Sequence, residues 1–295
     1  MEKRKYGNTD MEVSVLGFGG SEIGSSDEKT VDRLLGSAVD AGLNLIDTAE
    51  CYGNSEELIG KTLGNRRSDY YLFTKCGHAA GMDYPDWDLK LLEKSIDRSL
   101  KRLKTDYVDM IHLHSCREEV LREGGVIEVL QRAKQAGKTR YIGYSGDRKD
   151  ALYAVQTGVF DSLQTSVNIA DQEVIDLTLG EAIKRNMGVT AKRPIANAAW
   201  LFETMDESEY PYIYWNRIRD LAYSFLGDRQ TSVETALRFT LSTPGVHTAI
   251  VGTRNPERWQ QNAALLSKGQ LPVEQYEEIR SIWRSVAAPD WVGQT

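Results

Sequence analysis

The feature that most constrains this chain is an alternation. Short apolar, β-branched runs and amphipathic helical stretches follow one another about eight times, with no linker between halves. The strands are expected at 11–20, 43–47, 70–77, 106–115, 138–146, 160–168, 187–195 and 247–255. Helices are expected at 27–42, 55–63, 88–103, 118–137, 147–158, 172–186, within 215–243, and at 256–267. Asp27 and Ser55 read as N-caps, and Gly42 as a stop. Crossovers of that length cannot be hairpins, so the strands must run parallel, and eight of them close into a (β/α)8 TIM barrel. A short N-terminal β-hairpin turning at Gly7–Asn8 precedes it. No internal repeat or low-complexity segment interrupts the pattern, so residues 1–295 read as one domain.

A barrel places its chemistry at the C-terminal ends of the strands, where loops converge over a rigid sheet. The second strand ends at Asp47 and leads to Tyr52, the third ends with Lys75, and the fourth with His114. Taken singly, each has a plain reading: an Asp at a strand end caps a turn, and a loop Tyr packs. Together they form one device. A phenol titrating near pH 10 is a poor acid for a carbonyl unless a cation stabilises its phenolate, and Lys75 would supply that cation. Asp47 would hold Lys75 protonated, and a neutral His114 would orient a carbonyl oxygen beside the Tyr52 hydroxyl. The missing partner is a hydride, which no side chain can give, so a nicotinamide cofactor is expected.

Composition narrows the partners. A net charge of −7 argues against nucleic acid, and no apolar run approaches the ~20 residues that span a bilayer. The start MEKRKYGNTD lacks the apolar core of a signal peptide, and Cys51, Cys76 and Cys116 form no disulfide framework or CxxC site. A cytoplasmic location is therefore expected.

The motifs DTAECYGNSEELIG (47–60), LFTKCG (72–77), DYVDMIHLH (106–114), RYIGYS (140–145), LQTSVN (163–168) and IVGTRNPERWQQN (250–262) resemble those of the aldo-keto reductases over nearly the whole length. The resemblance implies a (β/α)8 barrel that binds NADP(H) across its mouth and transfers hydride directly between the nicotinamide and an aldehyde, ketone or alcohol. It makes Tyr52 the general acid, Asp47 and Lys75 its tuning pair, and His114 the carbonyl-orienting residue. Gly20, Asp47, Ser145, Gln164 and Lys192 would contact the cofactor, with Ser145 and Gln164 on the carboxamide. Gly252, Thr253, Arg254 and Arg258 resemble the grip on the 2′-phosphate, and Gln261 and Asn262 the adenine contacts. Asn255 followed by Pro256 also reads as an N-cap and first helical residue, which presents backbone amides to an anion.

Three positions depart from that pattern. Gly146 stands where Asn is common, Gly252 where Lys is frequent, and Lys192–Arg193 where an aromatic usually stacks on the nicotinamide. Two rivals also stand beside the reductase reading. One is a zinc-dependent hydrolase using Cys51, Cys76, Cys116, His78, His112 and His114, no metal being part of the preferred reading; the other is a non-catalytic nucleotide-sensing subunit. His112 reads as a satisfied core histidine. His78, Tyr84, Trp87, Trp200, Phe202, Tyr212 and Trp215 could wall an apolar or cyclic substrate or simply pack their loops, and the tail 271–295 is a closing helix or part of the rim. Oligomeric state and reaction direction leave no signature in the residues.

Overall fold

The computed structural model describes residues 1–294. An antiparallel hairpin, β1 (Lys3–Lys5) and β2 (Glu12–Ser14), precedes eight parallel strands. These are β3 (Leu16–Gly19), β4 (Leu45–Asp47), β5 (Tyr71–Cys76), β6 (Val108–His114), β7 (Thr139–Ser145), β8 (Ser162–Ser166), β9 (Gly188–Lys192) and β10 (Thr248–Val251). They close in chain order, with β10 paired to both β3 and β9. The expected barrel is therefore the observed one, and its register decides the site. Asp47 pairs with Gly19 and Phe73, Lys75 with His112, His114 with Ser145, and Ser145 with Gln164. Because strand side chains alternate, the residues Asp47, Lys75, His114, Ser145, Gln164 and Lys192 all share the inner face toward one rim.

The opposite end is plugged. Tyr6, Met11 and Val13 of the hairpin region pack on Leu45, Phe73, Met110 and Ile250 inside the barrel. Each such side chain contributes about 1.5–3 kcal/mol on burial. The Tyr6 hydroxyl, buried with them, hydrogen-bonds Ser162 Oγ and Thr190 Oγ1 at 2.7 Å each. A second apolar layer between strands and helices carries the leucines, isoleucines and valines of alternate strand positions, as the apolar runs require.

Several boundaries moved. The expected strand 11–20 is two strands, since the chain leaves the hairpin at Val15 to enter the barrel. The helix expected at 118–137 breaks at Gly124, whose φ of +81° is left-handed, and that at 172–186 breaks at Thr178. The region 215–243 holds two helices, Tyr212–Leu221 and Arg229–Ser242. Asp27 caps its helix through the Thr30 N–H, but Ser55 is not the N-cap of its own: Asn54 precedes that helix, and the Ser55 hydroxyl pairs with Thr48 Oγ1 at 2.9 Å. The tail does both things expected of it. Helix Val273–Val286 packs on the outer layer, and residues 292–294 then reach the barrel rim. Among the described residues no helix is long and apolar enough to cross a membrane.

Candidate active site

At the rim, β4 and β5 bring together the first ion pair. Lys75 Nζ donates to Asp47 Oδ2 at 2.6 Å and to the Thr48 carbonyl at 2.7 Å, and both side chains are almost fully buried. Burial opposes the Lys75 ammonium, yet Asp47, the Tyr52 phenol and the hydrogen bond outweigh it, and its pKa is pushed up. Lys75 is an ammonium at any ordinary pH. The other Asp47 oxygen accepts from Gln164 Nε2 at 2.8 Å, and Gln164 Oε1 accepts from Ser145 Oγ at 3.0 Å, so three strands are tied into one polar chain.

Tyr52 lies over this pair, its ring centroid 4.9 Å from Lys75 Nζ. Burial pushes the phenol pKa up, while the Lys75 charge and hydrogen bond pull it down. Burial wins in the resting site, so Tyr52 is a protonated phenol with a cation behind it. His114 stacks edge-on at 5.7 Å from the Tyr52 ring. Burial, then the charge of Lys75, pushes its pKa well down, which favours the neutral imidazole. Asp47, Tyr52 and His114 line one end of a cavity of ≈ 610 Å³, whose walls also carry Gly20, Ser145, Gln164, Lys192 and Gly252, and Lys75 lies behind them, paired with Asp47. Gly20 must be glycine there: a Cβ would stand 2.7 Å from Ser55 Oγ and 2.9 Å from the Asp47 carbonyl.

The rest of the expected cofactor set lies beyond that cavity. Thr253, Arg254, Arg258, Gln261 and Asn262 are on the loop after β10 and the helix Arg258–Leu265. That helix starts two residues later than Pro256; the Asn255 carboxamide oxygen accepts from the Glu257 N–H at 3.0 Å, closing a turn instead of capping a helix. Arg254 and Arg258 are exposed and Asn262 is buried. Arg254 reaches Glu22 at 3.6 Å.

A second pair, a buried aspartate with a largely buried lysine, sits across the mouth. Lys192 Nζ lies 2.8 Å from Asp147 Oδ2, with Arg193 Nη1 at 3.9 Å from the same oxygen. Gly146 beside it is forced by packing, since a Cβ there would meet the Tyr144 hydroxyl at 2.6 Å. The aromatic loops pack, and none of the seven named residues lines the cavity. Trp200 Nε1 donates to Ser232, Trp215 Nε1 to the Phe202 carbonyl, and Trp87 covers Gly77. Tyr210, which the sequence reading passed over, lines the cavity with Ser21, Glu22, Ser115, Arg193 and Asn197. The signal for Glu22 and Ser21 was present in GGSE after the first strand; Tyr210 and Asn197 had none.

The six-residue zinc arrangement does not gather. Cys76 and Cys116 are buried in the outer layer, and His112 is a core residue bonded to Ser162 Oγ at 3.1 Å, its pKa pushed down to about 3 by burial.

The closed eight-stranded parallel barrel, ringed by helices and carrying this polar rim, is a (β/α)8 TIM barrel. The sequence model of the Aldo/keto reductase family matches residues 15–284, and the chain belongs to that family of oxidoreductases. It is 28% identical to the uncharacterized oxidoreductase YqkF of Bacillus subtilis, covering 95% of this chain and 96% of that one. It is 29% identical to the L-galactose dehydrogenase of Arabidopsis thaliana, covering 99% and 97%. The holo form of aldo-keto reductase AKR11C1 from Bacillus halodurans superposes with a TM-score of 0.85 at 25% identity, over 99% of each chain.

Proposed function

We propose that the chain is an NADP(H)-dependent carbonyl reductase, or alcohol dehydrogenase in the reverse direction, with Tyr52 as general acid. The observation that carries this is the convergence of Tyr52, the Asp47–Lys75 pair and neutral His114 at one end of a cavity whose walls hold Gly20, Ser145, Gln164 and Gly252. Those residues fit a nicotinamide nucleotide. Gln164 and Ser145 offer an amide and a hydroxyl to a carboxamide, and Gly20 and Gly252 keep side chains out of the channel. The cofactor supplies hydride when bound.

The chain's own part is acid catalysis and orientation. His114 donates a hydrogen bond to the substrate oxygen and holds it next to the Tyr52 hydroxyl. As negative charge develops on that oxygen, the Tyr52 proton moves to it, and the phenolate left behind is stabilised by Lys75. Asp47 keeps Lys75 charged and aimed. The polar groups of Ser115, Asn197 and Tyr210 on the cavity wall support a small hydroxylated carbonyl over an apolar one, in keeping with a relative named for L-galactose.

Titration with NADPH and NADH by fluorescence quenching, followed by a panel of sugar-like and apolar carbonyls, tests the reading. Tyr52→Phe is expected to cut turnover by about 10²–10⁴-fold and leave NADPH binding unchanged. Arg258→Ala is expected to weaken NADPH roughly tenfold more than NADH; equal weakening defeats the 2′-phosphate assignment.

A further inference from the structure

Beside the rim, Glu50, Cys51 and His114 each bring one potential ligand atom into a cluster, all within 4.8 Å of one another. We propose that this trio is a binding site for one thiophilic divalent cation of the zinc class, held by the Glu50 carboxylate, the Cys51 thiolate and His114 Nδ1. The fourth coordination position is left to water.

The geometry of the soft pair is already that of a metal site. Cys51 Sγ stands 3.5 Å from His114 Nδ1. A tetrahedral zinc with bonds of about 2.3 Å to sulfur and about 2.0–2.1 Å to nitrogen holds those two atoms about 3.5 Å apart, so neither needs to move. The carboxylate must come in by roughly 1 Å to complete the triangle.

Glu50 is the independent sign. The residue is 2% exposed; Oε1 accepts from the His78 N–H at 3.1 Å, and Oε2 has no hydrogen-bond partner among the described residues. A buried carboxylate oxygen without a donor is costly, and no lysine or arginine is paired with it: Arg102 reaches the Glu50 backbone carbonyl instead, at 3.2 Å. A cation between Glu50 and Cys51 satisfies that oxygen. The Lys75 ammonium acts on both Cys51 and His114, and Asp47 already neutralises it. The Glu50 carboxylate and Cys51 thiolate together balance a divalent ion, so the local charge does not rise. Burial and the Glu50 charge push the Cys51 thiol up to about 12, but a dication at the sulfur reverses that field and displaces the proton. Coordination through Nδ1 also leaves the His114 proton on Nε2, fixing the tautomer of the imidazole at the mouth.

The test uses the full, metal-stripped chain with zinc or cobalt chloride alone, and none of its readouts is turnover, so it stands or falls apart from the proposed reduction. Equilibrium dialysis should retain one zinc per chain. Cobalt should give a near-ultraviolet sulfur-to-metal charge-transfer band with the visible bands of a four-coordinate ion. Cys51→Ser should abolish the charge-transfer band and weaken zinc by about 100-fold, and Glu50→Gln should keep the band while weakening zinc about tenfold. Cys51 is the exposed one of the three cysteines, so maleimide labelling of the unmutated chain, mapped by mass spectrometry, gives a measurement that needs no variant: zinc should protect it. No retained zinc, a band that survives Cys51→Ser, zinc affinity indifferent to Glu50→Gln, or labelling unaffected by zinc would each overturn the site.

Discussion

Two lysine–aspartate pairs, one buried and one largely so, face each other across the barrel mouth, and their lysines are driven in opposite directions. Asp47–Lys75, between β4 and β5, raises the lysine pKa; Asp147–Lys192, at the ends of β7 and β9, leaves Lys192 pushed down to about 8. Burial works against both ammonium groups. Lys75 has an aspartate, a carbonyl and a phenol around it. Lys192 shares its aspartate with Arg193, and Asp147 Oδ1 is already taken by Thr165 Oγ1 and the Ser166 N–H. A salt bridge therefore says little about a lysine until the other claims on its carboxylate are counted. The first pair holds a fixed charge behind Tyr52, and the second holds its lysine proton more weakly.

The tail belongs to the second region. Arg148 Nε donates to the Gly293 carbonyl at 2.7 Å, Arg193 Nη1 to the Gln294 carbonyl at 2.6 Å, and Arg217 Nη2 to the Val292 carbonyl at 2.8 Å. The Gln294 N–H donates to Asp171 Oδ2 at 3.1 Å. Among the described residues no tail hydrogen bond reaches the Asp47 side.

The sharpest way to break the contrast is to remove each lysine. Lys75→Met should cut carbonyl turnover by about 10²–10⁴-fold, and Lys192→Met by less than about tenfold, measured with saturating NADPH; equal losses would erase the distinction. Ending the chain after Trp291 should lower stability by about 1–2 kcal/mol in denaturant unfolding, through the lost hydrogen bonds, and leave turnover within about threefold. A fall in turnover as large as that of Lys75→Met would place the tail in the first region instead.

The third test is pH. Because the folded Lys192 pKa lies at about 8, below the ordinary lysine value of 10.5, its proton is held more weakly in the folded chain. Folding thus carries the cost of this cation below pH 8, and is relieved of it as pH climbs through 8 toward 10.5. NADPH affinity should drop about threefold between about pH 7 and about pH 9, and Lys192→Met should flatten that drop, while Lys75 contributes none of it. The smallest effect concerns the carboxylate on the cavity wall: Glu22→Gln should tighten NADPH about twofold at low salt, by removing a like charge from a phosphate path, and the gain should vanish at high salt.

The barrel was legible because eight apolar runs at crossover spacing admit one closed parallel solution. Asp47, Tyr52, Lys75 and His114 were legible because strand ends in such a barrel share a rim. Breaks at Gly124 and Thr178 were less so, since helical periodicity continues across them. Ser55 was misread as a cap because its hydroxyl finds Thr48 across the loop, a contact that local sequence does not encode.

The chain order of residues thus determined the architecture and the chemistry of the first pair, both consequences of periodicity and of positions within single strands. Tertiary structure alone decided that Lys192 turns to Asp147, that Tyr210 rather than the tryptophans meets the cavity, that residues 292–294 come to the rim, and that Glu50 and Cys51 reach His114. Those outcomes depend on which distant side chains compete for the same carboxylate, hydroxyl or carbonyl, and that competition exists only once the barrel has closed.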